Sequence, residues 1–214
     1  AGYSLIFKKY GKSLLIVAFG SFCFILGSSV IQSWGQSILG SGFEFDSGMV
    51  GFLFMGVSLA DLLGRLSSAW LADRIGRRRV MFSYGMIGAV GLLISAGSVM
   101  LATSAGWSTT GAGWIFFGGI VIAMAFGDGA FGVLNPFGAE QFPNEARATG
   151  LGLGYGIGSS AKVFGPALLG AMFGSKVELE SIPVAFLLFA ALLAMGGVTY
   201  LFAKETKGES LDSI

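Results

Sequence analysis

Residues 13–34 carry no charged side chain. At ~1.5 Å of rise per residue, a helix over that run crosses a ~30 Å hydrocarbon core, and predominantly apolar stretches of similar length, three of them carrying one or two charges, return five more times along the chain. Nothing else constrains the fold as strongly. In lipid every backbone N–H and C=O must be satisfied within the protein, so apolar runs of this length become helices. The expected spans are 13–34, 48–71, 80–102, 112–138, 148–173 and 183–203, with a basic lead-in at 1–12 and a charged tail at 204–214. The charged residues amount to 12%, about half the share of a soluble domain. Thirty-six glycines sit largely inside the apolar runs, where small residues let helix backbones approach closely. The alternation Gly150, Gly152, Gly154, Gly156, Gly158 has the period of a strand, but close helix contact is the better reading beside five helical spans. The chain is thus read as an all-α, multi-pass integral membrane protein of six transmembrane helices with essentially no soluble domain, in the plasma (inner) membrane.

The loops orient the bundle. With the N-terminus inside, Lys8, Lys9, Lys12, Arg74, Arg77, Arg78, Arg79, Arg147, Lys204 and Lys207 fall on the cytoplasmic side, and Lys176 stands alone on the other. Under the positive-inside rule both termini are cytoplasmic.

Several functions are excluded early. There is no histidine, so no histidine triad and no His-ligated metal; the single Cys23 forms no disulfide within one chain. No nucleophile–base pair, metal cluster or phosphate loop is visible, so neither an enzyme nor a cofactor or metal is expected, and no nucleic-acid partner.

Four ionisable residues lie inside spans: Asp61, Arg65, Asp128 and Lys162. Each costs about 2.5–3.5 kcal/mol to place at bilayer depth, even on the lenient scale, and therefore faces protein or water and seeks a partner. Asp61 and Arg65 stand at i and i+4 and can pair on one helix face; a structural ion pair and a proton site at Asp61 are both open readings. Asp128 shares a face with Phe131, Gly132 and Asn135 and is a second candidate proton carrier. Lys162 shares a face with Tyr155, Ser159 and Pro166 and has no acid on its own helix. Asp61, Asp128 or an anionic ligand must satisfy it. Gln32 and Gln36 extend a polar stripe with Ser21 and Ser28 along the first span, able to bind hydroxyls or carboxylates or to join helices. Pro136 and Pro166 are expected to kink spans four and five.

Three stretches resemble the major facilitator superfamily. Asp73-Arg74-Ile75-Gly76-Arg77-Arg78-Arg79 resembles the loop between the second and third helices of a transporter half, with Ala69 where glycine is usual. Glu140-Gln141-Phe142-Pro143-Asn144-Glu145-Ala146-Arg147-Ala148-Thr149-Gly150 resembles the loop entering the eleventh helix of metabolite–proton symporters and sugar porters. Glu205-Thr206-Lys207-Gly208-Glu209-Ser210-Leu211 resembles the segment after their twelfth helix, with Lys204 where proline is usual. The order and spacing are those of the C-terminal six-helix half of such a transporter.

The resemblance implies a secondary active transporter that moves a small organic solute by alternating access, with proton coupling. The missing half would be a second copy, another six-helix chain, or, if this chain is a fragment, sequence outside it. Lys162, Gln32, Gln36, Tyr155, Ser159 and Asn135 are then the substrate-binding candidates, and Asp61 and Asp128 the proton-coupling ones. Lys162 favours an organic anion over a sugar. Asp73, Arg74, Gly76, Arg77 and Arg78 form the gating loop, Asp73 capping a helix of the opposite half near its residues 148–150, and the arginines binding acids or lipid headgroups. A non-transporting scaffold subunit that keeps the half fold is the alternative.

Overall fold

A computed structural model describes residues 2–174 and 178–213. Among them the ordered elements are helical. α1 (Gly2–Lys9) leads into α2 (Gly11–Ser37), which ends in a π-helical turn, Ile38–Gly42. The Asp46 carboxylate accepts from Gly48 N at 3.1 Å and starts α3 (Ser47–Ile75). α4 runs Arg77–Ser104. Ser108 accepts from Gly111 N at 3.1 Å and starts α5 (Thr109–Ile122). A π-helical segment, Ala123–Asp128, joins α5 to α6 (Phe131–Ala139). α7 (Arg147–Gly158), α8 (Ala161–Phe173), a short 3-10 turn at Leu179–Ser181 and α9 (Ile182–Tyr200) complete the chain.

Five stretches are long and apolar enough to cross a membrane: Gly11–Gly42, Ser47–Ile75, Arg77–Ser104, Thr109–Ala139 and Leu179–Tyr200. The run expected as the fifth span, 148–173, is two shorter helices, α7 and α8. Ser159 and Ser160 between them keep right-handed helical angles. Ser160, Lys162 and Val163 each donate to a carbonyl three residues back instead of four, so the segment tightens without leaving the helix path. The fourth span is interrupted in a similar way by its π-helical segment and by Gly129–Ala130. In both, the step between the two helices, at residues 129–130 or 159–160, lies six or seven residues before the proline, Pro136 or Pro166, two or three residues upstream of the i−4 carbonyl that a proline leaves without a donor.

Two other expectations shift. Asp73, Arg74 and Ile75 are the last turn of α3 and not a loop, and α4 begins at Arg77, so Gly76 alone makes the turn. Its φ of +103° lies in the region that favours glycine. The last helix ends at Tyr200, where Leu201, Phe202 and Ala203 close a tight turn on carbonyls three residues back. Lys176 lies outside the described residues.

α2 packs on α9, α7 and α8, while α4 packs on α9 and α5. Phe24, Phe116, Phe137, Phe186, Phe189 and Tyr200 fill the shared interior, each almost wholly buried. α3 docks on the fourth span and leaves Phe52, Met55, Leu59 and Leu66 exposed. Where α3 meets the fourth span the contact is backbone to backbone: a Cβ on Gly64 would stand 1.8 Å from the Ala125 carbonyl oxygen, and one on Gly132 would stand 2.2 Å from Arg65 O. Ser68, buried in the same crossing, donates to Gly129 O at 2.7 Å.

Candidate functional site

That close crossing sets the site, because it brings the Arg65 side chain of α3 onto the fourth span. Its Nη2 donates to Asp128 Oδ2 at 2.8 Å, and its Nε donates to Asp61 Oδ1 at 3.2 Å. Asp128 is only 2% exposed, and its other oxygen accepts from Gln32 Nε2 of α2 at 3.2 Å. The guanidinium also lies 5.5 Å from the centroid of the Phe131 ring, within cation–π range. Arg65 therefore serves two carboxylates, one on its own helix and one 63 residues away. The sequence shows the first partner through the i, i+4 spacing and gives no signal of the second.

Arg65, Asp128 and Gln32 line an open cavity of about 410 Å³, together with Asn135, Tyr155 and Lys162. It lies between α2, α3, the fourth span and the α7–α8 segment. Lys162 is exposed to it, with Nζ 5.9 Å from the Tyr155 ring centroid. Among the described residues no carboxylate comes within 4.0 Å of that ammonium. Asp61 and Asp128, the two acids open to it as partners in the sequence beside an anionic ligand, are both taken by Arg65. Asn135 Oδ1 is buried at the cavity wall without a hydrogen-bond partner among the described residues. Ser28 and Ser29 also line it, but donate to their own helix at Phe24 O and Leu26 O, leaving oxygen lone pairs to face inward.

Of the proposed substrate residues, Lys162, Gln32, Tyr155 and Asn135 line the cavity. Gln36 and Ser159 do not. Gln36 is exposed one turn beyond Gln32, near the π-helical end of α2. Ser159 sits at the tightened step between α7 and α8. Asp61 contributes through Arg65 without lining the cavity.

A second cluster occupies the end of the bundle where the three noted stretches meet. Glu205 in the tail accepts from Arg77 N at 3.0 Å and Arg78 N at 3.1 Å, so its carboxylate caps the start of α4. A Cβ on Gly76 would press on that carboxylate at 2.8 Å, a second reason for glycine at this turn. Partial burial works against the Glu205 charge, but backbone N–H groups of Arg77, Arg78, Lys207 and Thr206 outweigh it and hold the carboxyl below its usual range. Arg77 pairs with Asp73 at 3.1 Å and with Glu140 at 3.4 Å, and Thr206 donates to Glu140. Gln141 exchanges two hydrogen bonds of 2.8 Å with the backbone of Lys204. Arg147 donates to Leu211 O at 3.0 Å. Arg74 stacks 4.0 Å from the Trp70 ring, and Asp73 is largely exposed. Of the arginines expected to bind acids or lipid headgroups, Arg77 alone pairs with an acid among the described residues; Arg78 donates to Leu201 O.

A multi-pass helical bundle with an ion-paired cavity between its spans defines an integral membrane protein with a polar intramembrane cavity. The model of the Major Facilitator Superfamily matches residues 17–213, and the chain belongs to that family. It is 30% identical over 96% of its length to a Bacillus subtilis protein named for niacin/nicotinamide transport, NiaP, covering 48% of that protein. It is 28% identical over 99% of its length to the niacin transporter NiaP of Acinetobacter baylyi, covering 40% of it. It is 27% identical over 91% of its length to the alpha-ketoglutarate permease of Escherichia coli, covering 41% of it. The chain spans about half the length of the curated relatives it matches or less.

Proposed function

We propose that this chain supplies one six-helix half of a proton-coupled transporter of a small organic anion, with α7 and α8 together acting as its fifth span and both termini cytoplasmic. The observation that carries the reading is the Lys162 ammonium in the cavity, with every nearby intramembrane acid already engaged by Arg65. A carboxylate ligand fits the cation left over at Lys162, beside the aromatic face of Tyr155. Relatives named for niacin and alpha-ketoglutarate, both carboxylates, support the same class. Asp61, Arg65 and Asp128 in contact carry a net charge of −1 when both acids are ionised. A proton on either acid makes the set neutral, which is the charge change that coupling requires. A second half would cover the exposed α3 face and the α8 face of Val163 and Phe164, which are 73% and 56% exposed, and would close the cavity between halves.

The test is uptake of radiolabelled niacin by proteoliposomes, with the outside more acid than the lumen and myo-inositol as the neutral control. Wild-type protein accumulates niacin faster with the gradient than without it. Lys162→Ala lowers uptake about 30-fold, the loss of one charge-assisted contact, while its melting temperature in detergent stays at the wild-type value. Lys162→Arg restores part of it. Near-normal uptake by Lys162→Ala removes that residue from the site, and absence of flux from wild-type protein that is dimeric or reconstituted with its second half favours a scaffold role.

A further inference from the structure

Two cavities meet at the basic end of the α2–α9 seam. One, of about 450 Å³, is walled by Lys12, Arg78, Gln141 and Lys204. The other is a groove of about 450 Å³ on the outer face of the bundle, lined by Leu15, Phe19, Val198, Thr199 and Phe202. Lys12, Ile16 and Phe202 belong to both, so the cationic pocket opens onto the groove. The position is fixed by packing. The Tyr200 ring lies against Gly20, where a Cβ would stand 2.4 Å from it, and this holds the end of α9 beside the first turns of α2.

The charges in the pocket are incompletely matched. Lys12 and Arg78 have no carboxylate within 4.0 Å among the described residues, and Arg78 Nε is buried without a partner. Lys204 has one distant acid, Glu209, at 3.9 Å. Glu205 is nearby but satisfied by backbone N–H groups. Leu15 and Phe202, which flank the mouth of the groove, are 68% and 65% exposed.

We propose that this seam is a binding site for one phospholipid with an anionic headgroup, its phosphate among Lys12, Arg78 and Lys204 and an acyl chain in the adjoining groove. A soluble anion would satisfy the cations and leave the groove uncovered, and a neutral acyl chain would do the reverse. An anionic amphiphile satisfies both. The site is separate from the Arg65–Lys162 cavity, and it stands whether or not the transport reading does.

The test is native mass spectrometry of the purified chain in mild detergent, with dioleoyl phosphatidylglycerol titrated against dioleoyl phosphatidylcholine. One phosphatidylglycerol is expected to be retained in preference to phosphatidylcholine. Lys12→Gln should weaken that retention about fivefold, the share of one lysine near a phosphate, and adding Lys204→Gln should weaken it further. Thr199→Trp, which fills the groove and leaves the cations in place, should also lower it. Equal retention of the two lipids, or indifference to the lysine changes, overturns the proposal. So does retention unchanged by Thr199→Trp, or lost to competition from glycerol 3-phosphate at concentrations comparable to the lipid, because either shows a pocket for free phosphate.

Discussion

Arg65 is the residue on which the cavity's electrostatics turn. Removing it leaves Asp128, almost fully buried, without its cation, and a buried pair broken from one side costs about 3–5 kcal/mol. The Arg65 side chain is 44% exposed, so Arg65→Met is expected nearer 2–3 kcal/mol. Asp128→Asn removes the charge that needs compensating and keeps an acceptor for Gln32, so the double variant Arg65→Met/Asp128→Asn should recover at least half of the loss. Melting curves of the four proteins in one detergent give the coupling directly. Additive losses would mean that Asp128 is stabilised by Gln32 and its helix surroundings instead. The acid–arginine pair on α3 is legible in the chain, since i, i+4 spacing is a local rule. The capture of Asp128 is not, because it depends on a helix crossing 63 residues away, and of the partners that the sequence leaves open to Lys162, an acid of another helix is not the one found.

At the level of elements, the close approach of α3 to the fourth span does what the many glycines in the apolar runs foretell in general and cannot specify in detail. The sequence shows that glycines lie in helices; only the packing shows that Gly64 meets a carbonyl while Gly118 meets open space. Gly64→Ala must push α3 away from Ala125, because the obstructing atom is backbone and cannot rotate aside. It is expected to cost about 1–3 kcal/mol and to lengthen the Arg65–Asp128 pair. Gly118→Ala should be neutral or stabilising by up to ~1 kcal/mol, the difference in helix propensity. Thermal unfolding of the two variants side by side checks the contrast, and equal effects would show that the crossing relaxes. The long apolar helices could be read from length and hydropathy alone. The step between α7 and α8 could not, since Ser159 and Ser160 carry no strong breaking signal of their own.

Across the whole molecule, stretches far apart in the chain are tied at one end: the α3–α4 turn, the α6–α7 loop and the tail after α9. Each was visible as a motif, yet their contact was not, because nothing in residues 73–79 announces that residue 205 will cap the helix they begin. Glu205 is the centre of this tie, and its titration gives a sharp expectation. Its folded-state value lies below the ordinary 4.5, so the folded chain gives up this proton more readily than the unfolded one. The carboxylate's contribution is therefore fully present above pH 4.5 and is lost as the pH falls through the lowered folded value. Glu205→Gln should cost about 0.5–1 kcal/mol at pH 7, the low end for a helix cap because the group is partly solvated, and should flatten the acid limb of stability below pH 4.5. Hydrogen exchange measured at pH 7 should show the first turn of α4 and residues 204–211 opening faster together in the variant. Faster exchange in α4 alone would mean that the tail is held by Gln141 and Arg147 without Glu205, and that the end of the bundle is two independent contacts in place of one clamp.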